Sequence, residues 1–149
     1  MFEYTCKLSL WIRHPAADLS HVPEKLGFPA TRVWKAGDPR LTPKGMPLIG
    51  NYRESYCSLS LQEERVASLP DLLRNVLPKL SARKADLDKL TSSGATISLF
   101  VGWFSEDTNS RDVIDWELLA ELAKLKISLD LDFYGPEETT PQTVEDGKT

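Results

Sequence analysis

Two histidines and two cysteines are all that the chain offers to a soft metal or a nucleophilic triad. His14 and His21 lie seven residues apart, and Cys6 and Cys57 fall on separate apolar strand patterns, so no zinc-ligand spacing is present. The histidines read as surface residues and the cysteines as buried free thiols, in keeping with a reducing compartment. No serine sits in a Gly-x-Ser-x-Gly elbow and no glycine-rich loop opens a helix, which leaves nucleophilic catalysis and phosphate binding without a motif. Long apolar runs are missing too, since the stretch Ile97 to Phe104 is far short of the roughly 20 residues that span a bilayer. With no basic-then-apolar leader at its start, the chain is expected to be soluble and cytoplasmic, with no membrane contact.

Basic charge is also scarce. The formal net charge is −4, of which Glu137, Glu138, Glu145 and Asp146 against Lys148 contribute −3, leaving −1 for residues 1–136. So neutral a body lacks the clustered Lys and Arg that phosphate backbones require, which argues against a nucleic-acid partner.

What the chain does have is apolar alternation. With 149 residues, 41% of them apolar, it can build one ordinary domain with a core. In Ile127 to Tyr134 the apolar Ile127, Leu129, Leu131 and Phe133 alternate with Ser128, Asp130, Asp132 and Tyr134, so one strand face is core and the other carries two carboxylates and a phenol. The same parity marks strands at Tyr4 to Arg13, Thr31 to Lys35, Tyr52 to Leu61 and Thr96 to Phe104, the last apolar on both faces and therefore central. Helical spacing appears in a short helix capped by Asp18 and stopped at Gly27, then near 69–79 after Ser68, near 82–92, and from Asp115 on. Pro78 is expected to kink or end the second of these, and Trp116, Leu119, Leu122 and Leu125 to lie on the buried face of the last.

Residues 36–50 hold too many Gly and Pro residues for a regular element and read as one long loop, either a binding loop or a plain surface excursion. The expected fold is α+β, a five-stranded largely antiparallel sheet with helices mainly on one face, in the order strand, helix, strand, strand, two helices, strand, helix, strand. It occupies residues 1–135 as a single domain, and 136–149, with little to bury, form a disordered tail. A faint repeat at an offset of 99 matches Leu26, Phe28 and Trp34 with Leu125, Ile127 and Phe133.

Asp130 and Asp132 share a strand face, a spacing that suits oxygen ligands for a hard cation or an acid and base. Further oxygens are lacking unless Asp38 or Asp107 folds back, and the plainer reading pairs the two with Lys7, Arg13 or Arg32 across the sheet. The outward strand positions collect Lys7, Trp11, Arg13, Arg32, Trp34, Tyr52, Tyr56, Phe100, Asp130, Asp132 and Tyr134. Trp, Tyr and Arg in such a row make a binding surface if exposed, or a second core if helices cover them.

The segment Leu26-Gly27-Phe28-Pro29-Ala30-Thr31-Arg32-Val33-Trp34-Lys35-Ala36-Gly37-Asp38-Pro39-Arg40 and the run from Leu122 to Tyr134, around a leucine-rich middle, resemble an uncharacterised, mainly bacterial family, domain of unknown function 4279. The motifs are Pro-x-Thr-Arg-x-Trp-x-x-Gly-Asp and Leu-Asp-x-Asp-x-Tyr, and the resemblance covers about residues 4–135. It implies a bacterial, cytoplasmic, stand-alone domain and no known reaction or cofactor. By analogy, such small domains often serve as toxin-neutralising immunity proteins. In its third strand, where a Trp is common in the family, this chain has Tyr52 and Tyr56.

The expectation that follows is a binding domain, in its sharpest form an immunity protein, that meets a toxin-like protein partner through Arg32, Trp34, Asp38, Asp130, Asp132 and Tyr134, with no cofactor. The alternative is a metal-binding or hydrolytic domain built on Asp130 and Asp132; a nucleic-acid reader comes last.

Overall fold

The computed structural model describes residues 3–136, so the expected tail at 136–149 lies outside the described residues apart from Pro136. In chain order the elements are β1 (Tyr4–His14), α1 (Val22–Leu26), β2 (Ala30–Trp34), β3 (Pro39–Leu41), β4 (Pro47–Asn51), β5 (Ser55–Ser60), α2 (Leu69–Ser81), α3 (Lys84–Ser92), β6 (Thr96–Ser105), α4 (Trp116–Lys124) and β7 (Ile127–Tyr134). Five strands form one sheet in the order β2-β5-β1-β6-β7. β5 pairs antiparallel with both β2 and β1, and β1 with β6, while β7 runs parallel to β6. The parallel step is possible because α4 carries the chain back between the two strands. This is the expected α+β class, and no helix among the described residues is long and apolar enough to cross a membrane.

Register fixes the two faces. Leu10 stands opposite Leu59 on one side and Leu99 on the other, and Ile12 opposite Cys57 and Ile97. These positions join Leu73, Val76, Leu77 and Leu80 of α2, Leu87 of α3, Leu118 and Leu122 of α4 and Val22 and Leu26 of α1 in one buried cluster. All four helices thus press on the same side of the sheet. β1 is the middle strand, and β6 lies inside the sheet as expected, between β1 and β7, with Ser98, Phe100 and Phe104 on its second face.

Helix starts follow the sequence where a cap is available. The Ser68 side chain accepts from Asp71 N–H and that of Asp115 from Leu118 N–H. Asp18 instead accepts from Ser20 N–H at 2.9 Å, in the turn before α1, whose N-cap position is His21. α2 continues through Pro78 to Ser81, because Pro78 and Arg74, whose carbonyl loses its usual donor, are both exposed to water.

Four other expectations are corrected. Residues 36–50 are not a plain loop but contain the paired strands β3 and β4, a two-stranded ribbon. Trp116 and Leu119 are 76% and 47% exposed, because α4 turns Leu118, Leu122 and Leu125 to the core, and these are one helical stripe without the tryptophan. His14 is buried: its Nδ1 accepts the N–H groups of Ala16 and Ala17 at 3.1 and 2.8 Å. That puts the ring hydrogen on Nε2, which donates to the Ser93 carbonyl at 3.0 Å and ties the end of β1 to the turn before β6. The repeat also fails, since Trp34 shares a face with Tyr56 while Phe133 shares the opposite face with Trp103, and β1 and β2 flank β5 where β6 and β7 touch.

Tyr4 joins β1 to the helical layer. Its ring stacks on Trp103 at 3.8 Å, its hydroxyl accepts the N–H of Leu69 at 2.7 Å, and the same hydroxyl donates to the Asp112 carboxylate. Replacing Tyr4 with Phe leaves the buried Leu69 N–H without an acceptor, so Tyr4→Phe is expected to cost about 1–3 kcal/mol in urea unfolding. An unchanged midpoint would contradict this role. Burial also raises the thiols of Cys6 and Cys57 from 9.0 to about 11. Above pH 9 the unfolded chain therefore releases thiol protons that the native state still holds, and stability falls as pH rises. The urea midpoint should drop progressively between pH 9 and about 11, and less steeply in the Cys6→Ala/Cys57→Ala double variant.

Candidate functional site

The helix-free face of the sheet carries a row of aromatic rings, starting at the β2 edge. Trp34 stacks on Tyr52 with centroids 4.0 Å apart and leans on Tyr56 at 4.5 Å. Tyr56 meets the edge of Trp11 at 6.1 Å, and Trp11 stacks on Phe100 at 4.1 Å. The row follows from register, because Trp34 is opposite Tyr56, Tyr56 opposite Arg13, and Trp11 beside Ser58 and Ser98. Two guanidinium groups lie over it: Arg13 at 5.3 Å from Trp11 and 5.1 Å from Tyr56, and Arg32 at 4.7 Å from Trp34. Arg13 Nε also pairs with Glu54 at 3.2 Å. Burial raises the pKa of the Tyr56 phenol, against the lowering effect of its hydrogen bond with Ser58 and of the two arginines.

Below Trp34 the chain is fastened by the segment that the sequence singled out. Thr31 Oγ1 donates to the Ser58 carbonyl at 3.2 Å, and Trp34 Nε1 to the Glu54 carbonyl at 3.0 Å. Arg32 donates to the Leu41 carbonyl at 2.6 Å. The Tyr52 hydroxyl takes the Leu41 N–H at 3.1 Å and gives its own hydrogen to the Leu41 carbonyl at 2.9 Å. Gly37 has φ +90°, a left-handed conformation that side chains resist, and the Asp38 carboxylate accepts the Lys35 N–H at 3.0 Å. Main-chain bonds from Gly37 N–H to the Tyr52 carbonyl and from Tyr52 N–H to the Asp38 carbonyl close the base of the β3–β4 ribbon. Between ribbon and sheet lies a cleft of about 460 Å³ bordered by Arg32, Trp34, Asp38, Leu41 and Tyr52. The ribbon's far part holds Met46 and Ile49, which are 63% and 95% exposed.

A family model described as Domain of unknown function (DUF4279) matches residues 3–136. The chain belongs to that family. No curated protein and no solved structure matches it. In this DUF4279 chain the Pro29-to-Asp38 motif is thus a clasp, whose polar groups are spent on holding the ribbon and on seating Trp34.

At the opposite edge of the same face, Asp130 lies beside Phe100, Asp132 beside Gly102 and Tyr134 beside Phe104. Tyr134 donates to Asp132 Oδ2 at 2.6 Å, a bond that raises the pKa of its phenol, and its ring stacks on Phe104 at 4.9 Å. Gly102 makes room for this, since a Cβ there would come within 3.2 Å of the Phe104 ring. The Arg65 guanidinium lies 3.6 Å from the centroid of that ring.

Five of the six expected site residues therefore share one face but not one place, and Asp38 lies in the turn between β2 and β3. Arg32, Trp34 and Asp38 stand at the β2 edge, and Asp130, Asp132 and Tyr134 at the β7 edge, about 19 Å away across four strand spacings. The expected pairing of the carboxylates with Lys7, Arg13 or Arg32 does not form, and among the described residues neither Asp130 nor Asp132 makes an ion pair. No group of three or more His, Cys, Asp or Glu suited to a metal ion occurs among the described residues. Arg65 and the ribbon residues Met46, Leu48 and Ile49 escaped the sequence reading; the adjacent Leu48 and Ile49 among so many turn residues were the available signal.

The clasp makes a checkable prediction. Arg32→Ala and Tyr52→Phe each remove an anchor of Leu41, so amide exchange should speed up across 39–51 while the amides of β1 and β6 keep their protection. Uniform acceleration throughout the sheet would contradict a local fastening.

Proposed function

We propose that this chain is a protein-binding domain that meets its partner with the helix-free sheet face and the β3–β4 ribbon. The observation that carries this reading is the row Tyr52, Trp34, Tyr56, Trp11 and Phe100, capped by Arg13 and Arg32, on a face that no helix covers among the described residues. Trp, Tyr and Arg are the residues that most often dominate binding energy at protein interfaces, because they bury large rigid areas with polar tips. Held in stacks, these rings lose little further freedom when a partner covers them. The ribbon adds exposed Leu41, Met46, Leu48 and Ile49, an apolar patch whose coverage would be favourable.

The form of the proposal that best suits a small domain with this surface is a bacterial, cytoplasmic immunity protein that neutralises a toxin by covering it. A hydrolytic or metal-binding role for Asp130 and Asp132 has less support, as the pair has no third ligand nearby among the described residues. The near-neutral body gives a nucleic-acid role little support.

Titration of the purified chain by calorimetry against the product of the adjacent gene is the direct test. Trp34→Ala, Trp11→Ala and Ile49→Asp, each folded by circular dichroism, should weaken binding about 30-fold or more for at least one of the two tryptophans, as a hot-spot residue does. Wild-type affinity in all three variants would overturn the assignment of this face.

A further inference from the structure

We propose that the free edge of β7 is a docking site for an extended segment of a partner protein in which Lys or Arg alternates with apolar residues. This goes beyond the aromatic row, which occupies the sheet face from β2 to Phe100 of β6, whereas the site proposed here is the free hydrogen-bonding edge of β7, and it stands on separate observations.

β7 ends the strand order, with β6 on one side and no strand on the other among the described residues. Its eight residues contain no proline or glycine, and all eight pair with β6 in unbroken register. A parallel pairing uses only alternate N–H and C=O groups of a strand, so the rest point away from β6. Among the described residues no turn, loop or side chain takes those groups up. A long, regular and unpaired edge is a template for another strand.

The side chains state what that strand must look like. On the helical side of the sheet Ile127 is buried and Leu129 half-buried, but Leu131 and Phe133 are 44% and 63% exposed, as cover from the helices runs out toward the strand's end. A cleft of about 250 Å³ adjoins this surface, its wall shared between the Trp103, Phe133 and Tyr134 rings and polar residues such as Asp107 and Asn109. On the other side are Asp130 and Asp132, neither paired with a cation among the described residues. A residue opposite each in an added strand has its Cβ about 5 Å away, within reach of an ammonium or guanidinium group. An incoming segment that sets basic side chains against Asp130 and Asp132 and apolar ones against Leu131 and Phe133 satisfies both faces at once.

Charge disfavours the other occupants. A second copy pairing antiparallel about Asp130 or Leu131 brings carboxylates directly opposite one another. Residues 137–149 of the same chain carry Glu137, Glu138, Glu145 and Asp146 against Lys148, the wrong sign. The competing reading is that the carboxylates only guard the edge against pairing.

The probe is a fluorescein-labelled peptide alternating Lys with Val over about eight residues, compared with a scrambled peptide of the same composition and with one N-methylated at alternate amides. Anisotropy should report binding of the alternating peptide alone, weakened about tenfold in Asp130→Asn/Asp132→Asn. Amide exchange in β7 should slow when the peptide binds. Equal binding of the scrambled or N-methylated peptide would overturn the proposal. So would a double variant that self-associates while the wild-type chain binds no peptide, the mark of a guarded edge. Trp34→Ala should bind the peptide as the wild type does; if it does not, the peptide sits on the aromatic face, and the edge assignment falls while the function proposed above stands.

Discussion

With β5 on one side and β6 on the other, β1 is held in register along nearly its whole length. A slip of one residue would bring Lys7, Trp11 and Arg13 under the helices and carry Leu8, Leu10 and Ile12 to water, so the alternation of a single strand fixes the faces of its neighbours. The cost of such a slip is set by the core side chains, each of which contributes roughly 1.5–3 kcal/mol on burial. Because the four helices satisfy only the inner face, the outer one is left with whatever its sequence supplies. Here that is rings and arginines.

On this outer face polar groups divide between fastening and display. Arg32, Tyr52 and Asp38 are consumed by contacts within the chain, mostly to backbone atoms of the ribbon and its base. The rings they seat keep part of their surface open. Asp130 and Asp132, at the far edge, have no such internal use among the described residues beyond the bond from Tyr134. A motif can thus be structural at one edge of a sheet and its counterpart available for recognition at the other.

Strand parity was legible because it needs only a period of two: every sheet-strand residue assigned to the outer face from Lys7 to Tyr134 lies there, while Tyr52 precedes β5 and reaches that face only by stacking on Trp34. Lateral order was not, because parity places side chains above or below a sheet and says nothing of which strands are neighbours. That is why Arg32 and Trp34 were expected beside Asp130 and Asp132, from which three strands separate them. The ribbon was hidden by its own prolines and glycines, since strands as short as Pro39–Leu41 have no room for a pattern. His14 looked like a surface residue because its partners, Ala16, Ala17 and Ser93, include a turn brought in from the other half of the chain.

Recognition through the aromatic face requires that it be open to solvent in the free protein. Fluorinated tryptophan gives one resonance for each of Trp11, Trp34, Trp103 and Trp116, and a soluble paramagnet broadens each according to its exposure. Broadening should be strongest at Trp116, clear at Trp11 and Trp34, and least at Trp103, which is 7% exposed. Trp11 and Trp34 as well protected as Trp103 would mean that the face is covered, and would contradict recognition through it.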